Sequence, residues 1–170
     1  GEGVIEKCAA FAASSDGDVR KALEILRIAG ELAERKNKSK ITMDDINEAK
    51  DTSESDRTEQ YITTQSRHSK ITLLAIMEIE KENTKASTRV PYYTGDIFER
   101  YEKLCQKCKV LPLTQRRVSD LIAELDQAGS IINAKLISKG RYGRTKQIRL
   151  TISPSTLPKI EKILMEGIGI

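Results

Sequence analysis

The stretch LPLTQRRVSDLIAELDQAGSI, Leu111 to Ile131, runs into two short β-branched segments, IINAKLI and KQIRLTI, set around the loop KGRYGRT. No other part of the chain constrains the fold as tightly. Thr114 is an N-cap residue, Val118, Leu121, Ile122 and Leu125 recur at helical spacing behind it, and Gly129 supplies a C-terminal stop. The two segments that follow have strand composition, and the glycines between them suit a tight connection, so the spacing predicts a hairpin with a basic tip.

Upstream of this unit the apolar periodicity predicts two more helices. One covers about Thr58 to Glu82, with Leu73, Leu74, Ile76, Met77 and Ile79 apolar, and the other Thr94 to Lys109, with Ile97, Tyr101, Leu104, Cys105 and Cys108 along one face. A last helix follows the hairpin. Three helices and then a hairpin predict a winged helix.

The N-terminal part has a different character. Three helices are predicted over Glu2 to Ser14, Asp18 to Arg35 and Thr42 to Lys50, after which DTSESDRTEQ, Asp51 to Gln60, is polar and without helical periodicity in its first half. The junction is placed at Asp51 to Asp56, giving domains over residues 1–53 and 54–170. A bundle of about 50 residues has too small a core to be more than marginal alone. The fold class expected is therefore mostly α, a small three-helix segment followed by a winged helix.

Charge separates the same two parts. Gly1 to Ser66 holds 10 Lys+Arg against 14 Asp+Glu, and Arg67 to Ile170 holds 19 against 11. The second module suits a polyanion, although mild basicity alone does not establish one. No apolar run approaches membrane-spanning length and no leader of the signal-peptide type opens the chain. The protein is expected to be cytoplasmic, nucleoid-associated if it binds DNA, and, because its first residue is Gly1, a piece of a longer protein.

At about 100° per residue, a core stripe at Val118, Leu121, Ile122 and Leu125 leaves Arg116 pointing away from the core, with Ser119, Asp120 and Ala123 beside it. Such a short-chained face with arginines at its start fits a recognition helix in a major groove, or else a solvated charged face. Arg117 lies nearer the core stripe and fits a phosphate better than a base. The loop is more specific. Lys139, Arg141, Arg144 and Lys146 surround Tyr142 without an acid, and Gly140 and Gly143 let backbone approach a surface closely. Phosphates or a minor groove would use both the charges and the glycines.

Other chemistry has little support. Cys105 and Cys108 form a CxxC on a helix, with only Cys8 and His68 elsewhere, which suits reduced, half-buried thiols better than zinc. His68 has no serine or cysteine pattern to make a triad. No glycine is followed by lysine, so the chain contains no phosphate loop of the GxxxxGK[ST] type, and no catalytic, metal or cofactor site of its own is expected. Arg20 remains to be explained. It stands in the first turn of a helix capped by Asp18, where a cation is disfavoured by roughly 0.3 to 1 kcal/mol. Either it is solvated or paired with Asp16, or its anion comes from another domain or ligand.

Here the residues carry a family resemblance. GDVRKALEILRIAGELAER resembles the sensor-2 segment in the lid of AAA+ replication initiators, and KITMDDINEA resembles the lid helix that follows. PLTQRRVSDLIAELDQAGSI and GRYGRTKQIRL are similar to the recognition helix and wing of archaeal initiators of the origin recognition complex and helicase-loader family. The resemblance implies a C-terminal piece of such an initiator. It further implies duplex origin DNA as partner, met by Thr114, Gln115, Arg116, Arg117 and Ser119 on the helix and by Lys139, Gly140, Arg141, Tyr142, Gly143, Arg144, Thr145 and Lys146 on the wing. In the whole protein it implies ATP or ADP with Mg, contacted by Arg20, and a replicative helicase and other initiator subunits as protein partners. A transcription regulator, or a winged helix that docks proteins, is the alternative.

Overall fold

The structure is a computed structural model describing residues 2–13, 18–86, 90–138 and 144–170. The expected residues Lys139, Gly140, Arg141, Tyr142 and Gly143 thus lie outside the described residues, as does Asp16. The fold divides into two compact units, Gly1–Arg57 and Thr58–Ile170.

The first unit is helical: α1 (Val4–Ala13), α2 (Val19–Arg35) and the start of α3 (Met43–Thr64). Its core is small, built on Val4, Cys8, Ile25, Ile28, Ala29, Ile46 and Ala49. Phe11 closes one side under the ammonium groups of Lys7 and Lys50, 5.8 and 4.8 Å from its ring centre. Asn37, with φ 53°, turns the chain out of α2 while the Lys38 N–H returns to the Ala33 carbonyl. The turn into α3 is held by a reciprocal cap. Asp45 accepts the Thr42 N–H at 2.9 Å and its hydroxyl at 2.6 Å, and takes the Lys38 ammonium at 2.7 Å.

The expected junction at Asp51 to Asp56 contains no break in the backbone. α3 runs on to Thr64, and the next helix starts only at Arg67 after the N-cap Ser66, whose hydroxyl accepts the Ser69 N–H at 3.2 Å. The single helix expected over Thr58 to Glu82 is therefore two pieces. The polar run has no proline or glycine to stop it, and tertiary partners hold its side chains: Glu24 of α2 accepts from Ser53 at 3.2 Å and pairs with Arg57 at 2.5 Å. Periodicity failed there because what α3 buries in this stretch is polar, Ser53 and then Thr58.

In the second unit, α4 (Arg67–Lys85), β1 (Tyr92–Tyr93), α5 (Thr94–Lys107), α6 (Gln115–Gln127), β2 (Ile132–Ser138), β3 (Arg144–Leu150) and α7 (Leu157–Ile168) follow in order. α4 is the central element. Every residue from Ile71 to Met77 is buried, with α5, α6, α7 and β3 packed around it. The strands form an antiparallel sheet in the order β1-β3-β2. Ile132 opposite Leu150 and Ala134 opposite Ile148 turn inward onto the core, and Tyr92 extends that row through β1. Asp126 near the end of α6 accepts the Ala134 N–H at 2.8 Å and so ties β2 to that helix. Among the described residues no helix is long and apolar enough to cross a membrane.

Lys38 first, and then Thr42, hold the Asp45 carboxyl well below the usual carboxylate range. A depressed carboxyl stabilises the fold above its unfolded pKa, about 3.9, and the contribution disappears as pH falls below that. We expect Asp45→Asn to lower the melting temperature at pH 6 and to reduce the fall in melting temperature between pH 5 and pH 3. Circular dichroism melts of both proteins would measure this.

Candidate nucleic-acid interface

α6 starts as its sequence requires, with the Thr114 hydroxyl accepting the Arg117 N–H at 3.4 Å. Val118, Leu121, Ile122 and Leu125 are all buried. That burial orients the opposite face outward, where Gln115, Arg116 and Asp120 are exposed and Ser119 and Ala123 half-exposed. The two arginines differ in a way the spacing did not reveal. Arg116 makes no hydrogen bond or ion pair among the described residues. Arg117 turns along its own helix onto Glu124 at 3.0 Å, with Asp120 at 3.9 Å.

The loop leading into α6 is fixed by a polar link between three elements. The Tyr101 hydroxyl of α5 accepts the Leu113 N–H at 3.1 Å and lies 2.7 Å from His68 Nδ1 on α4. The hydroxyl keeps its proton and a second lone pair beside that N–H, so either tautomer of the neutral imidazole completes the contact. Burial, aided by the neighbouring Arg67, holds the His68 pKa below its ordinary value, in agreement with that state. Burial likewise pushes the Tyr101 hydroxyl up to about 12. His68 thus has a structural role: it fastens the approach to the candidate recognition helix.

The hairpin supplies the rest of the surface. Arg144 stands opposite Ser138 and Lys146 opposite Leu136, at the end of the hairpin away from the core row of Ala134 and Ile148. Lys135 and Arg149 project from the other face of the sheet, both exposed. None of these four cations makes an ion pair among the described residues, and neither strand contains an acid. Elsewhere in this unit several cations are engaged: Arg100 with Glu78 and Glu82, Lys81 with Glu161, Lys103 with Glu99 and Lys159 with Glu59. Lys135 and Arg149 escaped the sequence reading because only the register separates them from their polar neighbours.

Arg20 is the second residue of α2. Its side chain is 92% exposed, and among the described residues its guanidinium reaches only the N-cap, with Nε 3.3 Å from Asp18. The Arg20 backbone N–H first, and its side chain after it, hold the Asp18 carboxyl below its ordinary range. An exposed arginine is thereby presented at a helix start. Cys8, Cys105 and Cys108 are free and buried, and burial pushes the Cys8 and Cys105 thiols up. Among the described residues no three His, Cys, Asp or Glu side chains gather into a metal-binding group.

The unit Thr58–Ile170 is a winged helix, and the unit before it is a small helical bundle that presents an arginine at a helix start. Residues 60–160 match the family described as CDC6, C terminal winged helix domain, and residues 1–51 match the Cdc6 AAA+ ATPase-type lid domain. The chain belongs to the Cdc6 family of AAA+ proteins, of which it contains the lid and the C-terminal winged helix. It is 48% identical over 163 residues to an ORC1-type DNA replication protein of Pyrococcus furiosus, covering 96% of this chain and 37% of that protein. To ORC1-type DNA replication protein 1 of Sulfolobus acidocaldarius it is 44% identical over 168 residues, covering 99% of this chain and 41% of the other. Among solved structures, the Aeropyrum pernix ORC1 protein in complex with DNA matches with a TM-score of 0.84 and 37% identity, over 98% of this chain and 41% of that one. The chain therefore spans about two fifths of the length of these relatives.

Removing the Tyr101 hydroxyl would leave both the Leu113 N–H and His68 Nδ1 without their partner. We expect Tyr101→Phe to cost about 1 to 2 kcal/mol in denaturant unfolding. The depressed His68 pKa also sets a pH dependence. Below about pH 6.5 the unfolded state binds a proton that the folded state resists, so this contribution is complete above that pH and is lost on acidification. Melting temperature should fall from pH 8 to pH 5.5, and less so in His68→Gln.

Proposed function

We propose that the chain binds duplex DNA of a replication origin through α6 and the β2–β3 hairpin, within an initiator whose nucleotide state is sensed by Arg20. One observation carries this reading. Arg116, Arg144 and Lys146 stand without acidic partners among the described residues, on the two elements by which a winged helix meets DNA. Such a charge arrangement is unfavourable by itself and becomes favourable against phosphates.

The roles divide by environment. Arg116, unpaired and on the outward face at the start of α6, reads a base edge in the major groove. Gln115 and Ser119 flank it, and Thr114 contributes its exposed side of the helix start. Arg117, already neutralised by Glu124, is a phosphate contact or a brace of α6. Arg144, Thr145 and Lys146 contact the backbone beside the minor groove, together with the residues 139–143 between the strands. Arg20 meets the phosphates of ATP or ADP, with Mg, bound elsewhere in the whole protein, because its guanidinium is exposed and this chain has no phosphate loop. A replicative helicase and other initiator subunits are the protein partners proposed for the whole protein, with domains at residues 1–53 and 54–170 and a cytoplasmic, nucleoid-associated location. Similarity to the ORC1–DNA complex supports the DNA partner.

The test is an anisotropy titration of the protein with an origin-like duplex and a scrambled duplex at two salt concentrations. Equal, weak affinity for both would oppose sequence reading by α6. We expect Arg116→Ala to cost about 1 to 3 kcal/mol on the preferred duplex and less on the scrambled one. We expect Arg144→Ala with Lys146→Ala to weaken binding to both and to lower the salt slope by about 2, close to one unit for each lost phosphate contact, while the melting temperature stays within a degree or two.

A further inference from the structure

The sheet has a second face, of which the duplex reading uses only Thr145 near the end of the hairpin. Tyr93 of β1 lies directly across from Gln147 of β3, which lies directly across from Lys135 of β2, so these three side chains form one row over the whole width of the sheet. The adjoining row on the same face pairs Arg149 with Asn133. Residues alternate between faces along a strand. Since Tyr92, Ala134 and Ile148 turn inward, with Tyr92 6% and Ile148 2% exposed, the Tyr93 row must face outward. Lys135, Arg149 and Asn133 are exposed, and Tyr93 and Gln147 half-exposed.

We propose that this outer face, centred on Tyr93, Gln147, Lys135 and Arg149, is a binding site for single-stranded DNA. Its composition decides the class of ligand. Two cations without acidic partners would suit any polyanion, but a duplex laid on a flat sheet offers it mainly sugar and phosphate. An aromatic ring and two side-chain amides beside those cations suit unpaired bases, with one π-face to stack and open edges to bond. The width agrees, because three strands span about 10 Å, enough for a short extended strand to cross from the ring to the cations. The location makes the site separate from the duplex interface. α6 packs its apolar stripe into the core on the inner side of the sheet, whereas this face looks the opposite way. An initiator that holds duplex with one side of the winged helix and a melted strand with the other could retain an opened origin.

The experiment measures anisotropy of a fluorescent 12-nucleotide oligothymidylate, and of a labelled duplex, with wild type, Tyr93→Ala, Tyr93→Phe, Lys135→Ala with Arg149→Ala, and Arg116→Ala. The wild type should bind the oligothymidylate. Tyr93→Ala should weaken that binding about 5- to 150-fold, the range of one lost stacking contact, and Tyr93→Phe should restore it. The double cation variant should lower the single-strand salt slope by about 1.4, roughly 0.7 per phosphate. Arg116→Ala should leave oligothymidylate binding unchanged. No oligothymidylate binding by the wild type, equal losses on duplex and single strand in Tyr93→Ala, an unchanged slope in the double variant, or loss of oligothymidylate binding in Arg116→Ala would each overturn the proposal. Tighter binding of a matched oligouridylate would overturn DNA as the ligand. Should Tyr93→Ala fail to fold by circular dichroism, the exposed double variant decides. A wild type that binds oligothymidylate but no duplex would remove the duplex reading and leave this site standing.

Discussion

Everything in the winged-helix unit depends on the burial of α4. A helix with seven consecutive residues out of water, Ile71 to Met77, has no solvent face there and cannot be stable by itself. Its cover comes from α5, α6, α7 and β3, each giving one apolar stripe or row to the same core. Because each covering element spends its apolar side on α4, its polar side is turned outward by necessity. The exposed start of α6 and the outer face of the hairpin are consequences of that packing.

Packing alone fixes a helix less firmly along its axis than across it. The His68–Tyr101–Leu113 link adds a directional constraint where it matters, at the residue before the α6 cap. Buried polar groups must find partners, and this link satisfies a backbone N–H, a phenol and an imidazole together. Similar devices close the other ends. Arg67 donates to the Ile168 carbonyl at 2.7 Å near the end of α7, and Asp126 holds β2 against α6. The surface that would meet DNA is therefore rigidly mounted although its own side chains are solvent-exposed.

Charge follows the same division. Several cations on helices find acids, as Arg100 does between Glu78 and Glu82, and as Arg117 does on Glu124. The two strands of the hairpin contain no acid, and among the described residues their cations stay unneutralised. In water at moderate salt such repulsion is weak enough for the fold to tolerate. An interface built this way remains available to a polyanion without a conformational change.

Much of this could be read from the residues in order. The caps and stripe of α6, the hairpin and its basic character, the three helices of the first unit and the outward direction of Arg116 all follow from interactions within a few residues of each other, which spacing and composition record. The family resemblance added the lid, and with it the role proposed for Arg20. The rest rested on partners distant in the chain. β1 is only two residues long and exists because Tyr92 and Tyr93 meet Ile148 and Gln147. α3 continues through a polar run because Glu24 holds Ser53 and Arg57. His68, featureless in sequence, became a fastening for α6 because Tyr101 lies beside it, and the row Tyr93, Gln147, Lys135 exists only once the strand register is set. Local periodicity determines which elements form and which side they bury; long-range pairing decides where they end and which polar side chains come together, since those contacts join residues whose separation in sequence carries no signal.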